Sequence, residues 1–537
     1  MKAWLKVCRT RHPKCGSAQQ AYAPTRLLEL NTFDASDDIR LVTPGIRAAT
    51  EYVALSHCWG PPEKWSLQTT NETIEARSTR IPFTDLSRTF QDAVRITRDL
   101  GFHYLWIDSL CIIQQDRSDF EREAAAMADV YTNAVCTLAA LASADSTEGC
   151  RVRDASDPPH AAHDEENVFY QTANLHVGDT MVRLSSKNIL NWDFHYSDLG
   201  HHPLSDRSWT LQERLLSVRN ISFGEFDSFW ECRTAKGMGD RPWPQLNTPG
   251  DPEEDERPWP TPLTASEGVL STSAWKRDEW YHTVEEYTRR SLTHQSDKLP
   301  ALAGIVKQFQ AERESGIFLN GLFAKHLPSS LLWTVVRDPY SQPGFSRQES
   351  YRAPSWSWAS INGPVSYKSQ RMLSTNVDTE VVFGDLNFNI TALKFHVDPD
   401  GFDAFGLIQT AATLALQGKL IQLGLAKVDE KYEETMNLRL LVRTNYYNND
   451  DVVGAVYLDV ESELGGTQDV WCLPVRKEHW LSEEPLTTSL RYRMGPMVMG
   501  LALLYRPLSD TFVRVGMIRW VKTSIFDATE PRPVRID

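Results

Sequence analysis

The residues best equipped for chemistry fall in three stretches. Ser56-His57-Cys58-Trp59-Gly60 sets a base beside a thiol, and Cys111 offers a second thiol. A nucleophilic cysteine needs a base within hydrogen-bond reach and a stabiliser for the oxyanion. Neighbouring residues of a strand face opposite sides, so His57 and Cys58 are not expected to pair. His57 and Cys111 could meet across neighbouring strands; otherwise all three are core or pocket-wall residues. Gly60 with Pro61-Pro62 forces a turn, and its amides with the Ser56 hydroxyl could nest an anion. Asp108 follows the apolar run Tyr104–Ile107, and a buried carboxylate needs a partner or a role. It either caps the turn that follows or touches a ligand. Glu213 lies in R-S-W-T-L-Q-E-R (207–214), where helical spacing sets Trp209, Gln212 and Glu213 on adjoining positions. Arg207 and Arg214 could pair with it. Cys8, His12 and Cys15 form C-x3-H-x2-C, ligand types that zinc takes, but the usual second pair is missing. No metal is assigned.

Such groups need a sheet to hold them. Short apolar runs alternate with helical patterns, as in a parallel sheet with crossover helices. Val53 and Leu55 lie in a first strand that ends at Ser56-His57. A helix is expected over about 87–100, with Phe90, Ala93, Val94, Thr97 and Leu100 on one side. Tyr104–Ile107 is the second strand. A second helix, about 119–133, has Phe120, Ala124, Met127, Val130, Tyr131 and Ala134 on its packed face and Glu123 toward solvent or a cleft. Val135–Leu141 is the third strand, and Ser217–Phe223 a later one. Asp108 then ends a strand, where open α/β sheets place ligand contacts. The polar loop Gln114-Gln115-Asp116 could cover such a site. Neither G-x-G-x-x-G nor a P-loop is present.

At 537 residues the chain is too long for one ordinary core. Formal net charge is -15 and no long basic run exists, which argues against binding a nucleic acid polymer. No window has the length and apolarity of a membrane span. The start carries charge but no apolar stretch, so it is not a secretory signal. The eight cysteines are scattered, and a reducing, cytoplasmic protein with unpaired thiols is expected. Four regions are expected: an α/β unit over 1–235 with an N-terminal extension and an insertion at 151–180, a Pro/Trp/acidic linker over 236–270, a helical segment over 271–363, and a mainly antiparallel β unit over 364–537, partly barrel- or sandwich-like. The stretch 316–333 is read as more helix.

Three blocks, A-L-S-H-C-W-G (54–60), Y-L-W-I-D-S-L-C-I-I-Q-Q-D (104–116) and M-A-D-V-Y-T-N-A (127–134), resemble the signature blocks of the fungal heterokaryon incompatibility (HET) domain. The R-x-W-T-x-Q-E-R segment closes that resemblance. S-D-K-L-P-A-L-A-G (296–304) and R-A-P-S-W-S-W-A-S (352–360) resemble segments that accompany it in longer fungal proteins. His57 stands where the family's block more often carries an aromatic. The resemblance implies allorecognition, with cell death after fusion of incompatible cells. It also implies a distant similarity to TIR domains, some of which cleave NAD. Matched by motif, W-T-L-Q-E puts Glu213 in the role of the catalytic glutamate, with Trp209 as its accompanying aromatic. Asp108 and Ser56 would then hold polar parts of a nucleotide, Gln114 would lie over it, and Trp59 or Trp209 would stack on a base. NAD is the candidate substrate, no cofactor is called for outright, and self-assembly or a partner protein would control the site. Two alternatives stay open: a signalling or scaffold protein without turnover, and a small-metabolite enzyme using His57 or Cys111 in the same cleft.

Overall fold

The computed structural model describes the chain from Met1 to Asp537 apart from residues 17–21, 34–35, 45–49, 151–169, 178–179, 188–201, 226–227, 239–272, 314–315, 337–344, 349, 368–390, 397–412, 427–437, 443–451, 468 and 481–494. The acidic Pro-Trp linker, most of the insertion and the expected strand at 381–388 lie outside the described residues.

The N-terminal sheet uses β1 (Leu27–Glu29), β2 (Arg40–Val42), β3 (Val53–Ser56), β4 (Tyr104–Trp106), β5 (Cys136–Ala139), and, beyond the separate hairpin β6 (Tyr170–Val177) and β7 (Thr180–Lys187), β8 (Arg219–Phe223), β9 (Ser228–Cys232) and β10 (Lys236–Met238). Strand order is β10-β9-β8-β5-β3-β4-β1-β2. The four central strands β8, β5, β3 and β4 run parallel, and the flanking pairs are antiparallel. Every residue of β3 and β5 is buried, which explains why both read as unbroken apolar runs. The chain leaves β3 to one side and returns to its other side at β5. Such a reversal opens a crevice at the carboxyl ends of the two strands.

The helices are α1 (Lys2–Arg11), α2 (Ile74–Thr79), α3 (Arg88–Leu100), α4 (Asp108–Cys111), α5 (Arg117–Asn133), α6 (Ser208–Leu216), α7 (Ser273–Thr288) and α8 (Ala303–Arg313). In α3, Phe90, Ala93, Val94 and Thr97 are buried as their spacing predicts, and Gly101 at φ +94° ends the helix in the left-handed conformation. Asp116 caps α5 by accepting from the Ser118 and Asp119 amides. Two expectations for α5 fail. Phe120 is exposed, and Glu123 is buried rather than solvated. Arg26, which immediately precedes β1, holds Glu123 inside. It pairs with Asp119 and lies 3.6 Å from Glu123, while its Nε donates to the Cys111 carbonyl at 2.6 Å.

The region after α8 is not more helix. It forms a two-stranded turn (Phe318–Leu319 with Leu322–Phe323) and short 3-10 turns at Ala324–His326 and Ser329–Leu331. The C-terminal region is a mainly antiparallel sheet. Six of its strands close a ring in the order Thr511–Lys522, Val452–Leu458, Leu438–Val442, Ile421–Ala426, Asp469–Trp480 and Gly495–Arg506, the last pairing back onto the first. Ile518 points into the ring's own core, and its neighbour Met517 joins the core shared with the rest of the chain. That is the alternation a pleated strand imposes.

Candidate functional site

The first block turns sharply after β3 because Gly60 takes φ +76° and Asp145 presses against it. A Cβ there would lie 2.4 Å from the Asp145 Cβ, so only glycine fits. Asp145 in turn accepts from Lys64 at 2.7 Å. The turn carries Trp59 over Asp108, and the indole Nε1 donates to Asp108 Oδ2 at 2.8 Å. The other Asp108 oxygen accepts from the Ser109 amide at 2.7 Å and lies 3.7 Å from His57 Nδ1. Asp108 is therefore both a cap for the turn after β4 and a partner for the first block. Gln114 donates to the Asp108 and Ile112 carbonyls at 3.2 and 3.1 Å, which fixes the loop rather than opening it.

His57 is buried edge-on to Phe90, 5.1 Å between ring centres. Burial lowers its pKa to about 4, against the pull of Asp108 and with the help of Arg207. The thiols are not activated. Burial pushes Cys58 up to about 11 and Cys111 up to about 12. No hydrogen bond joins His57 to either among the described residues, so the Cys-His reading finds no geometry to stand on.

Glu213 projects from α6 toward the end of β3. It is 6% exposed, and its Oε2 has no hydrogen-bond partner among the described residues. Burial raises its carboxyl to about 7; Asp108 adds to the rise, and Ser56, Arg207 and Tyr131 oppose it. Glu213, Ser56 and Asp108 thus share one electrostatic neighbourhood, though nearly 160 residues separate the first from the second. The other members of the motif point elsewhere. Arg207 donates to the His57 carbonyl at 2.7 Å. Trp209 Nε1 reaches Asp297 at 3.4 Å, in the region beyond α7, so its ring is not beside Trp59 or Ser56. Gln212 accepts from the Gly304 amide at 2.8 Å, and Arg214 donates to Glu231 at 2.9 Å.

A small, solvent-open cleft of about 20 Å³ lies where β3, β5 and β8 end under α6. Ser56, Thr137, Ser222, Thr210, Arg214 and Arg290 are among its lining. Arg290 comes from beyond α7 and was not singled out in the sequence; nothing in the surrounding residue types marks it. It donates to Glu286 at 2.6 Å and to Thr210 Oγ1 at 3.2 Å, while its buried Nε has no partner among the described residues. Glu213 lies behind Ser56 and is not part of the cleft wall. Trp356 and Trp358 are fully buried; the Trp356 carbonyl accepts from Trp333 Nε1, and Trp358 Nε1 donates to the Gly321 carbonyl.

A different group of ligand-type residues gathers at the sheet's far edge. Cys8, His12, Cys15 and Cys232 are all buried, with one donor atom from each lying within 4.8 Å of every other. Cys232 adds a fourth ligand-type residue to the three of the C-x3-H-x2-C spacing.

The family model described as Heterokaryon incompatibility protein (HET) matches residues 52–213. The match opens on the residue before β3 and closes on Glu213, so it covers the central parallel strands through β5 and most of α6. It spans under a third of the chain. No curated protein and no solved structure gives a match. Among the described residues no helix is long and apolar enough to cross a membrane.

Proposed function

We propose that this chain is a fungal allorecognition and cell-death signalling protein whose HET segment binds a nucleotide at the Ser56–Ser222 cleft and breaks the nicotinamide–ribose bond of NAD when assembled or engaged by a partner. The observation that carries the chemistry is Glu213, a buried carboxyl with a partnerless oxygen, directly behind the Ser56 hydroxyl that lines the cleft. In the reaction the C–N bond breaks and its electron pair leaves with nicotinamide. Positive charge develops on the ribose, and water adds with loss of a proton. An ionised Glu213 would stabilise that charge and orient the ribose hydroxyls, as carboxylates do in glycoside cleavage. Arg214 and Arg290 suit the phosphates. With its pKa near 7, Glu213 is available in both protonation states at neutrality, and the cationic nicotinamide ring favours the charged one. The TIR likeness belongs to this reading. It is supported by the W-T-L-Q-E motif and by the reversal of strand order between β3 and β5.

A second reading, ligand binding without turnover, is favoured by two contacts. Trp59 closes over Asp108, and Glu213 sits behind the wall rather than on it. Incubating the purified full chain with NAD and quantifying nicotinamide by chromatography separates the two. Turnover predicts release that falls about 100-fold or more in Glu213→Gln. Binding of ADP-ribose with no release supports the second reading. Neither release nor binding, in protein that self-assembles, defeats both.

A further inference from the structure

We propose that Cys8, His12, Cys15 and Cys232 together hold one zinc ion in a tetrahedral Cys3His site that fastens the N-terminal segment to the edge of the sheet. Cys8 lies in α1, His12 joins α1 to the 3-10 turn Pro13–Cys15, Cys15 ends that turn, and Cys232 ends β9, 220 residues after His12. Their donor atoms lie within 4.8 Å of one another, and Cys232 Sγ is 3.4 Å from His12 Nδ1. Around a tetrahedral zinc with bonds of roughly 2.0–2.3 Å, donors sit about 3.5–3.8 Å apart, so the gathered atoms need only a slight contraction. The donor set, three soft sulfurs and an imidazole, is one that zinc prefers. None of the four is in a disulfide.

The surroundings supply the second observation. Arg219, on β8, is 5% exposed. Its Nε donates to Cys8 Sγ at 3.1 Å, and its other nitrogens donate to the Val135 carbonyl at 3.0 Å and the Cys15 carbonyl at 2.5 Å. None of these acceptors is a carboxylate. A buried guanidinium needs a counter-charge. Three thiolates and a neutral imidazole around a divalent ion carry a net single negative charge, which answers it. The Ala235 amide also points at Cys232 Sγ, 3.3 Å away, and Thr234 Oγ1 lies 3.5 Å from Cys15 Sγ. Donors aimed at sulfur are the outer shell that thiolate–metal centres carry. Binding would tie together parts of the chain that are remote in sequence, so occupancy and folding would be linked.

The test is metal analysis of the full chain, expressed with zinc supplied and then desalted. About one zinc per chain is expected, falling to under roughly a tenth in Cys232→Ser and His12→Ala, while Cys472→Ser retains it. Variants that fold poorly are bypassed by X-ray absorption on the wild-type protein, which should show three sulfur neighbours and one nitrogen. His12→Cys should convert that shell to four sulfurs. Well-folded wild-type protein carrying no stoichiometric zinc, or carrying iron instead, overturns the proposal. So does a disulfide involving Cys8, Cys15 or Cys232 in freshly purified protein.

Discussion

Glu213 and His57 are both buried near Asp108, and their protonation pulls stability in opposite directions. Glu213 has a folded pKa of about 7 against an ordinary 4.5. Its contribution is therefore complete below about pH 4.5 and is lost as pH rises through 7. His57 has a folded pKa of about 4 against 6.5, so its contribution is present above 6.5 and is lost as pH falls through 4. Removing the Glu213 charge should relieve the alkaline loss, by on the order of 3 kcal/mol at most. Denaturant unfolding at pH 5 and pH 8 checks this: Glu213→Gln should gain on the wild type at pH 8 relative to pH 5. An identical difference at the two values would mean that Glu213 is not buried neutral. At this scale much was legible. Asp108 stands out because a carboxylate after an apolar run demands a reason, and Glu213 because the W-T-L-Q-E motif marks it. Trp209 reaching Asp297 and Arg290 entering the cleft were not legible, because both depend on where α7 docks.

The element that does most to organise the site is α6. Its side chains reach His57 (through the preceding Arg207), the middle region, Gly304, the Ser56 neighbourhood and Glu231 in turn. The R-x-W-T-x-Q-E-R segment is thus a joint between the sheet and the helices after it, as well as the source of Glu213. The seat for α8 is tight. A Cβ on Gly304 would lie 2.5 Å from Ala128 Cβ and 2.8 Å from both Gln212 Oε1 and Leu216 Cδ1. Gly304→Ala should cost about 1–3 kcal/mol by overpacking, read as a lowered thermal midpoint. An unchanged midpoint would show that α8 is not seated on α5 and α6. The alternation of strand and helix through β5 was readable because each element is long enough to show its period. The stretch 316–333 was misread because two-residue strands and 3-10 turns have no period to show. Cys232 escaped notice as a partner for Cys8 because strand pairing, not spacing, brings it there.

A shared hydrophobic core runs from Trp4 through the middle region to Ile536, beside the C-terminal ring's own core. The C-terminal ring is bound to the middle region by Arg514, which is fully buried. It pairs with Asp459 at 2.9 Å, stacks 3.5 Å over the Trp333 ring and donates to the Leu331 and Trp333 carbonyls. Among the described residues, Arg514→Ala leaves the buried Asp459 with only Arg347, 3.5 Å away, and those carbonyls unmet, and should cost about 3 kcal/mol. Calorimetry should also show the variant's C-terminal ring melting apart from the rest, whereas a single undisturbed transition would deny that Arg514 joins them. The chain's net charge of -15 opposes anionic ligands at long range, so any nucleotide must be held by local donors such as Arg214 and Arg290. The most direct test of that idea is a structure of the full chain determined with ADP-ribose. The expected result has the ribose next to Ser56 and Glu213, with the phosphates on Arg290. A ligand bound elsewhere, or a cleft unchanged at saturating ADP-ribose, would contradict it.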